Sequence, residues 1–384
     1  MNALADLLPR PGDEAFKYTS FQTVARREYA DPAPTAVDTA ALPAPYGPRL
    51  LFVDGQLAGD GSGIVGAAPL RREAPHTAPA QANALRRMNA ALASECITID
   101  VPADTDAGTL ELLFVASQHP DRIAAYPQVA VRLGANARAT VIERHVALGD
   151  ADDFLNLAIE VDLERGAQLT HLAVQRAAIR ATVASGVYAT VAQDASFMSH
   201  AVHLGGSLAR ADIDVVLAGR GAHCGLYGLH LAGLRQHIDT HTRIEHAVAD
   251  TTSDEHYRAV VDRGGRSVFN GKVRINEGAD RSDARQYNAN LLLSEQAEAD
   301  TKPELEIYAD DVKASHGATV GKLDESALFY LRTRGIGEDE ARRVLVWAFA
   351  DTVLARVPQA NVRAEVEAAV LARMPDAAKI EAFR

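Results

Sequence analysis

The chain has 384 residues, with 39 Lys plus Arg against 51 Asp plus Glu, a formal charge of −12 with His neutral. That balance excludes a general binder of nucleic acid or anionic membrane, because neutralising phosphates takes clustered Lys and Arg and the sequence has no such cluster. Cys96 and Cys224 are the only cysteines, too few for a disulfide framework or a four-thiolate zinc or cluster site within one chain.

Nearly half the residues are hydrophobic, the composition of a folded globular protein, and at roughly 150 residues per domain the length suggests two or three domains. The first residues, MNALADLLPR, carry Asp6 among apolar neighbours and meet Pro9 with no basic stretch ahead, so they do not read as a signal peptide. No run reaches the ~18–20 apolar residues of a membrane span, and the expected location is cytoplasmic.

A short helical N-terminus leads into residues 31–48, where Pro32, Pro34, Pro43, Pro45 and Pro48 fix φ and remove donors, the mark of a linker. Arg49–Val53, Asp54-Gly55 and Gln56–Ala58 read as a small hairpin, since Asp-Gly supplies the positive φ of a two-residue turn. Gly61-Ser62-Gly63-Ile64-Val65-Gly66 matches GxGxxG, but no helix opens after it and no acid sits ~20 residues on, so it reads as a loop and not a dinucleotide site. A helix is expected over 81–93, which would close an N-terminal region at 1–95.

From Cys96 to about residue 322, short runs of Val, Ile, Leu and Thr keep meeting Gly-Ala or Asp-Ala turns. A loose repeat emerges in VAVRLGANARATVIER, IEVDLERGAQLTHLAVQ, VYATVAQDASFMSHAV, IDVVLAGRGAHCGLYGLHL and YRAVVDRGGRSVFNGKVRI, each a strand, a turn and a strand. The turn positions Gly134, Gly166, Asp194 and Gly221 lie 32, 28 and 27 residues apart. Strand pairs at this period without intervening helices exclude a βαβ sheet and leave a solenoid or a sandwich; with no six-residue beat, the solenoid would be a right-handed β-helix.

Around Asp324 the period changes to 3.6. Asp324 caps a helix over ESALFYLRTR with Gly335 just past its end, Ala341, Val344, Leu345, Ala348, Phe349 and Val353 form the stripe of a second, and Val362, Val366 and Val370 mark a third. These helices define a region at 323–384, expected to pack on the solenoid end and to offer a surface to a partner.

The chemical motifs are sparse. Gly271-Lys272 and Gly321-Lys322 both fail the P-loop pattern, because Val273 and Leu323 stand where the hydroxyl should be. His237, Asp239 and His241 alternate on one strand face, the two His Cα atoms roughly 13 Å apart at ~3.3 Å per residue, a polar hydrogen-bonded rung more than a zinc pair. Cys224, beside His223, reads as a buried structural thiol. Ten acids between Glu277 and Asp311 run into Lys313-Ala314-Ser315-His316-Gly317, and carboxylates with an imidazole suit iron(II).

The stretch TKPELEIYADDVKASHGATVGKLDESALFYLRTRGI, residues 301–336, closely resembles the SufD-type members of the SufB/SufD family of the Suf iron–sulfur cluster assembly system. HIDTHTRIEHAVADTTSDEHYRAVVDRGGRSVFNGKV, DARQYNANLLLS and EAFKYTSFQ are similar to the same family. The resemblance implies a mainly β fold, a right-handed parallel β-helix core between N- and C-terminal α-helical regions, and it removes the sandwich.

The resemblance also implies a scaffold and not an enzyme, joined to SufB through the end of the β-helix and to the ABC-type ATPase SufC. In the family motif K-C-S-H-G-A-T the histidine lies at the SufB interface and is implicated in cluster formation; that residue is His316, the candidate ligand for iron or a nascent cluster. Ala314 stands where the motif has cysteine. Leu328, Arg332, Arg334, Ala341 and Leu345 fall in the helices that resemble the SufC docking surface. No cofactor is expected to be tightly bound by the chain alone, and its unpaired last rung predicts a homodimer in the absence of SufB. Two rivals stand beside this reading: a β-helix polysaccharide lyase or hydrolase, against which the 5% aromatic content counts, and a purely structural paralogue of SufB with no ligand role.

Overall fold

The computed structural model describes residues 4–373 apart from 11, 34 and 60–66; the Gly61–Gly66 motif lies outside the described residues. After the short helix α1 (Gln22–Ala25) come β1 (Arg49–Val53), β2 (Gln56–Leu57), β3 (Leu70–Glu73) and α2 (Ala84–Leu92). The hairpin forms as expected: Asp54 and Gly55 have φ of 49° and 81°, and β2 folds back antiparallel on β1. Helix α2 starts where Asn83 accepts a hydrogen bond from the Arg86 N–H, which satisfies a first-turn donor that helical geometry leaves free.

The solenoid runs through β4 (Cys96–Val101), β5 (Asp106–Ala116), β6 (Ala124–Ala125), β7 (Gln128–Leu133), β8 (Arg138–Ala147), β9 (Phe154–Leu163) and β10 (Gln168–Arg176). It continues as β11 (Thr182–Val191), β12 (Ser196–His203), β13 (Leu208–Leu217), β14 (His223–Ala232) and β15 (His237–His246). Its last strands are β16 (Thr252–Val261), β17 (Arg266–Ile275), β18 (Asp283–Leu292), β19 (Glu298–Ile307) and β20 (Lys313–Gly321).

One sheet orders as β2-β1-β5-β8-β10-β12-β14-β16-β18-β20 and the other as β3-β4-β7-β9-β11-β13-β15-β17-β19. From β4 and β5 onward every pair is parallel, so the chain is a parallel β-helix of about 8 turns and not a sandwich. The hairpin that sequence patterning set in the N-terminal region joins the first sheet, β1 lying parallel to β5. Four of the five repeat copies cross from the second sheet to the first; YRAVVDRGGRSVFNGKVRI, built from β16 and β17, crosses back, so it is the complementary half of a turn.

Between the two sheets lies an apolar core that includes Leu110, Val131, Ile159, Phe197, Leu217, Leu226 and Phe269. The period-2 pleat sends alternate side chains inward, and β-branched and aromatic residues fill that space. Cys224 sits in this core, and burial pushes its thiol well above the ordinary range, as expected for a structural and unreactive sulfur.

The helical regions clamp the outer faces. Leu4, Leu8, Phe16, Phe21, Val24, Leu85 and Met88 pack on Ala124, Phe154 and Ala184 of the second sheet. At the other face the C-terminal helices α3 (Glu325–Thr333), α4 (Glu338–Leu354) and α5 (Ala360–Leu371) follow β20. Val346, Ala350 and Leu354 of α4, with Val362 and Val366 of α5, cover Leu172, Val202, Leu229 and Val260 of the first sheet. This corrects the expectation that these helices pack on the solenoid end: the exterior of the first sheet carries its own Leu/Val strip, and burying it outweighs covering the last rung. The α4 stripe is rotated accordingly, with Val346 and Ala350 buried while Ala348 is exposed. Arg144 ties the regions together, donating to Glu111 and to Glu365 of α5, and Tyr46 of the Pro-rich linker also donates to Glu365.

The two ends of the solenoid differ. At the N-terminal end antiparallel strands stand outermost, the two-residue β2 and the charged β3 with Arg71 and Arg72 exposed, devices that blunt a sheet edge. At the other end β19 and β20 are outermost and run 10 and 9 residues.

Candidate functional site at the open end of the solenoid

His316 lies on β20, in register with Gln286 of β18, which is in register with Glu255 of β16. Gln286 and Glu255 are buried, and Ala314, two residues before His316, packs against the cluster of Val273, Ile275 and Ala284. The alternation therefore sets Ala314 and His316 on the lumen side of the last rung. His316 is exposed because no further rung covers it.

The lumen beneath it is part polar and part apolar. Glu255, Gln286, Asn288 and Asn290 fill the inward positions of β16 and β18 near the end. Gln286 Nε2 donates to Glu255 Oε2 at 2.7 Å, and Asn290 Nδ2 donates to Asn288 Oδ1 at 2.6 Å and to the Thr319 carbonyl at 3.1 Å. Glu255 Oε1, Tyr257 Oη, Gln286 Oε1, Asn290 Oδ1 and Thr301 Oγ1 are buried with no hydrogen-bond partner, a concentration that native interiors rarely tolerate without a functional reason. Burial pushes the Glu255 carboxyl up to about 7, opposed by the Thr242 hydroxyl and by its hydrogen bond from Gln286.

Of the acids of residues 277–311, Asp283 is on β18 and lines the groove that reaches His316, whereas those of β19 are elsewhere. Asp300 pairs with Arg266 at 2.7 Å, Glu306 with Lys272 at 2.6 Å and Asp283 with Arg285 at 2.9 Å. The pleat of β19 sends Glu298, Asp300, Glu304 and Glu306 outward while Leu305 packs inside. These four face away from His316 across the other sheet, which corrects the pairing of the β19 part of that acidic run with the imidazole. The acid stacked behind His316 is Glu255, two rungs down.

On the exterior of the first sheet, His200, Tyr227, His256 and Tyr287 form a ladder with ring centroids 5.0, 6.0 and 6.0 Å apart. A groove of about 670 Å³ lined by Asp254, His256, Arg285, Tyr287 and Arg356 extends to the Ser315–Gly317 stretch of β20. His237, Asp239 and His241 sit on the outer face of the second sheet beneath the N-terminal segment. Asp239 accepts from Arg210 at 2.6 Å and from Thr19, His241 lies 3.3 Å from it, and Thr19 Oγ1 contacts the His237 ring at 3.1 Å. That polar rung straps the N-terminal segment in place.

Of the helical candidates, Leu328 of α3 and Ala341 of α4 are buried, and Leu345 is half-buried. Arg332 and Arg334 are exposed, beside Phe329 and Tyr330, which are 66% and 56% exposed. Sequence reasoning passed over these two aromatics.

A second polar cluster also went unread. The buried Glu143 accepts from His145 at 2.5 Å and His171 at 3.0 Å, and His171 Nδ1 meets Ser199 at 3.1 Å. Burial raises the Glu143 carboxyl, yet the two imidazole contacts outweigh it and hold it well below the usual range. The signal that could have found this cluster is spacing by one solenoid turn, which sets His171 and Ser199 in register. Among the described residues no group of three or more His, Cys, Asp or Glu is arranged to hold a metal ion.

Comparison with known proteins agrees with this architecture. The family model for "SUF system FeS cluster assembly, SufBD core domain" matches residues 114–349, from β5 through most of α4 and across His316. The chain belongs to the SufBD family. It is 34% identical to the iron-sulfur cluster assembly protein SufD of Escherichia coli over 247 residues, 64% of this chain and 58% of that protein. A SufBD family protein of Synechocystis is 28% identical over 396 residues, 95% of this chain and 87% of the relative. One from Mycobacterium leprae is 31% identical over 265 residues, 67% of each. As a SufBD member and SufD homologue, the chain falls in iron–sulfur cluster assembly, and the lyase alternative has no support. No helix among the described residues is long and apolar enough to cross a membrane.

Proposed function

We propose that this SufBD protein is the SufD-type scaffold subunit of a cytoplasmic SufB–SufC–SufD complex, with the nascent iron–sulfur cluster as cargo at its junction with SufB. The observation that carries the reading is the asymmetry of the solenoid: one end is blunted by antiparallel strands, while the other offers the long edges of β19 and β20 with His316 at the mouth. A paralogous β-helix can continue both sheets there, since an unpaired edge is a template for another strand.

In that junction His316 acts as a neutral imidazole ligand to iron or the forming cluster, with the remaining ligands from SufB. Ala314, on the same side, supplies no thiolate. The sequence has no P-loop, so ATP hydrolysis falls to SufC, docked on α3 and α4 around Arg332, Arg334, Phe329 and Tyr330. ATP-driven movement of that region would open and close the junction.

The test is iron and acid-labile sulfide in the complex isolated anaerobically after co-expression with SufB and SufC. His316→Ala is expected to leave the complex assembled and to lose the cluster. An assembled mutant complex with full iron and sulfide would overturn the ligand role and leave a structural paralogue, the reading that Ala314 favours. Failure of the wild-type chain to join SufB and SufC would overturn the scaffold reading itself.

A further inference from the structure

We propose that Gln286, oriented by Glu255, accepts the ring N–H of His316 and so fixes which imidazole nitrogen presents its lone pair at the mouth of the solenoid. The inference rests on the reading of His316 as a ligand and assigns Glu255 and Gln286 as its positioning residues.

The three residues occupy one inward column on successive rungs, Glu255 on β16, Gln286 on β18 and His316 on β20. Neighbouring strands of a sheet lie ~4.8 Å apart, within reach of side chains that stand in register. Glu255 is fully buried, and its Oε2 accepts the Gln286 Nε2–H at 2.7 Å. An ionised carboxylate, the form Glu255 takes at about pH 8.5, can only accept, so there this bond settles the amide orientation: nitrogen toward the lower rung.

The amide oxygen then faces the other way. Gln286 Oε1 is buried and has no partner, and in the next rung outward the residue in register is His316. An amide oxygen left without a donor destabilises a fold, so its retention here calls for a donor. The opposite wall is shaped for this amide: a Cβ on Gly271 of β17 would come within 2.1 Å of Gln286 Nε2 and 2.8 Å of its Cδ. Gly271 is thus the space into which the amide fits.

A neutral imidazole has one N–H and one lone pair. With the N–H given to Gln286, the lone pair is on the other nitrogen, and the ring is held from rotating. Metal-ligating histidines are generally oriented in this way by an acceptor behind the ring. Here the acceptor is an amide backed by a buried carboxylate.

The tautomer can be read on the chain alone, with no cluster present. In protein labelled with ¹⁵N-histidine, long-range ¹H–¹⁵N correlation at pH 8.5, where imidazoles are neutral, resolves the two ring nitrogens, and His316→Ala assigns the signal. Wild type is expected to show one tautomer in strong excess, and Gln286→Met, of similar volume, to reduce that excess at least roughly threefold. Glu255→Gln, which lets the Gln286 amide pair in either orientation, is expected to reduce it by less. An unchanged ratio in Gln286→Met overturns the proposal; if that variant does not fold, an unchanged ratio in Glu255→Gln does so. The two ideas fail separately: a complex that keeps its cluster in His316→Ala removes the ligand role, whereas cluster loss in His316→Ala with an unmoved tautomer ratio removes only the positioning role.

Discussion

Lowering the pH from 8 to 5 should weaken this protein through its buried histidines, and the size of the effect follows from their surroundings. Burial pushes His200, His203 and His246 down to about 4 and His230 down to about 3, from 6.5. Each imidazole is neutral when folded and free to take a proton when unfolded. Its contribution is therefore fully present above pH 6.5 and is lost as the pH falls toward its folded value. At pH 5 each has lost about 2 kcal/mol, or about 8 kcal/mol for the four.

Two buried carboxyls act in the opposite direction. Glu255, pushed up to about 7 by burial, and Asp214, pushed up to about 6 by burial and by the neighbouring Asp212, oppose folding when they must ionise. Their penalty relaxes as the pH falls, returning about 4 kcal/mol over the same interval. The net expected loss is about 4 kcal/mol, a large part of a domain's stability. Glu143, whose carboxyl is held low, adds its loss only below about pH 4.5. Urea unfolding followed by circular dichroism at constant ionic strength gives the dependence directly. His203→Phe, which replaces an imidazole whose Nε2 has no partner, should remove about 2 kcal/mol of the pH-dependent loss. Equal stability at pH 8 and pH 5, or an unchanged slope in His203→Phe, would refute the reasoning.

Two further predictions concern the surfaces. Without SufB the chain should be a homodimer through its open end, where Ile307, Tyr308 and Val320 are 44%, 57% and 47% exposed; Ile307→Lys with Val320→Lys should raise the dimer dissociation constant by roughly tenfold per side chain, at roughly 1–2 kcal/mol each. Light scattering that finds wild type monomeric at micromolar concentration would contradict this. Asp324 Oδ1 accepts from the Ser326 and Ala327 N–H groups at the start of α3, so Asp324→Ala should cost about 1 kcal/mol of local stability. The readout is hydrogen exchange of residues 325–333, and protection equal to wild type would show that the cap is dispensable.

The solenoid was legible in the sequence because its turns recur: Gly166 and Gly221 have φ of 71° and 76°, and Asp194 has φ of 56°, a conformation that favours Gly, Asn and Asp. The same local chemistry gave the Asp54-Gly55 hairpin and the Asp324 cap. What could not be read is what depends on register between distant rungs. The fifth repeat copy was out of phase because turns on both edges of a β-helix use the same residue types. The acidic run looked adjacent to His316 in sequence, yet β19 and β20 belong to different sheets, and the pleat of β19 sends its acids outward. Leu328 and Ala341 were read as surface because a short amphipathic helix does not say which of two neighbours its apolar stripe will meet. His316 stood out only through its motif, and Glu255 and Gln286 had no local signal at all.

The polar lumen at the open end has a stability cost that the architecture can bear. In a solenoid each rung contacts only its neighbours, so stability is close to a sum of nearest-neighbour terms and an end rung can be weak without undoing the rest. The apolar core, whose members run from Leu50 to Phe269, supports the stack from the N-terminal end, and in the last rungs Glu255, Gln286, Asn288 and Asn290 share the lumen with the smaller cluster of Val273, Ile275 and Ala284. A protein that merely ended there would gain by capping β20 with a charged or antiparallel strand, as it does at β2 and β3. Leaving the edges long and the lumen polar makes sense if a second β-helix completes the stack and the imidazole at the junction needs a hydrogen-bonded support behind it. On the proposed reading, the unpartnered oxygens of the last rungs would be the interior half of an interface, and His316 the point at which that interior meets the cargo.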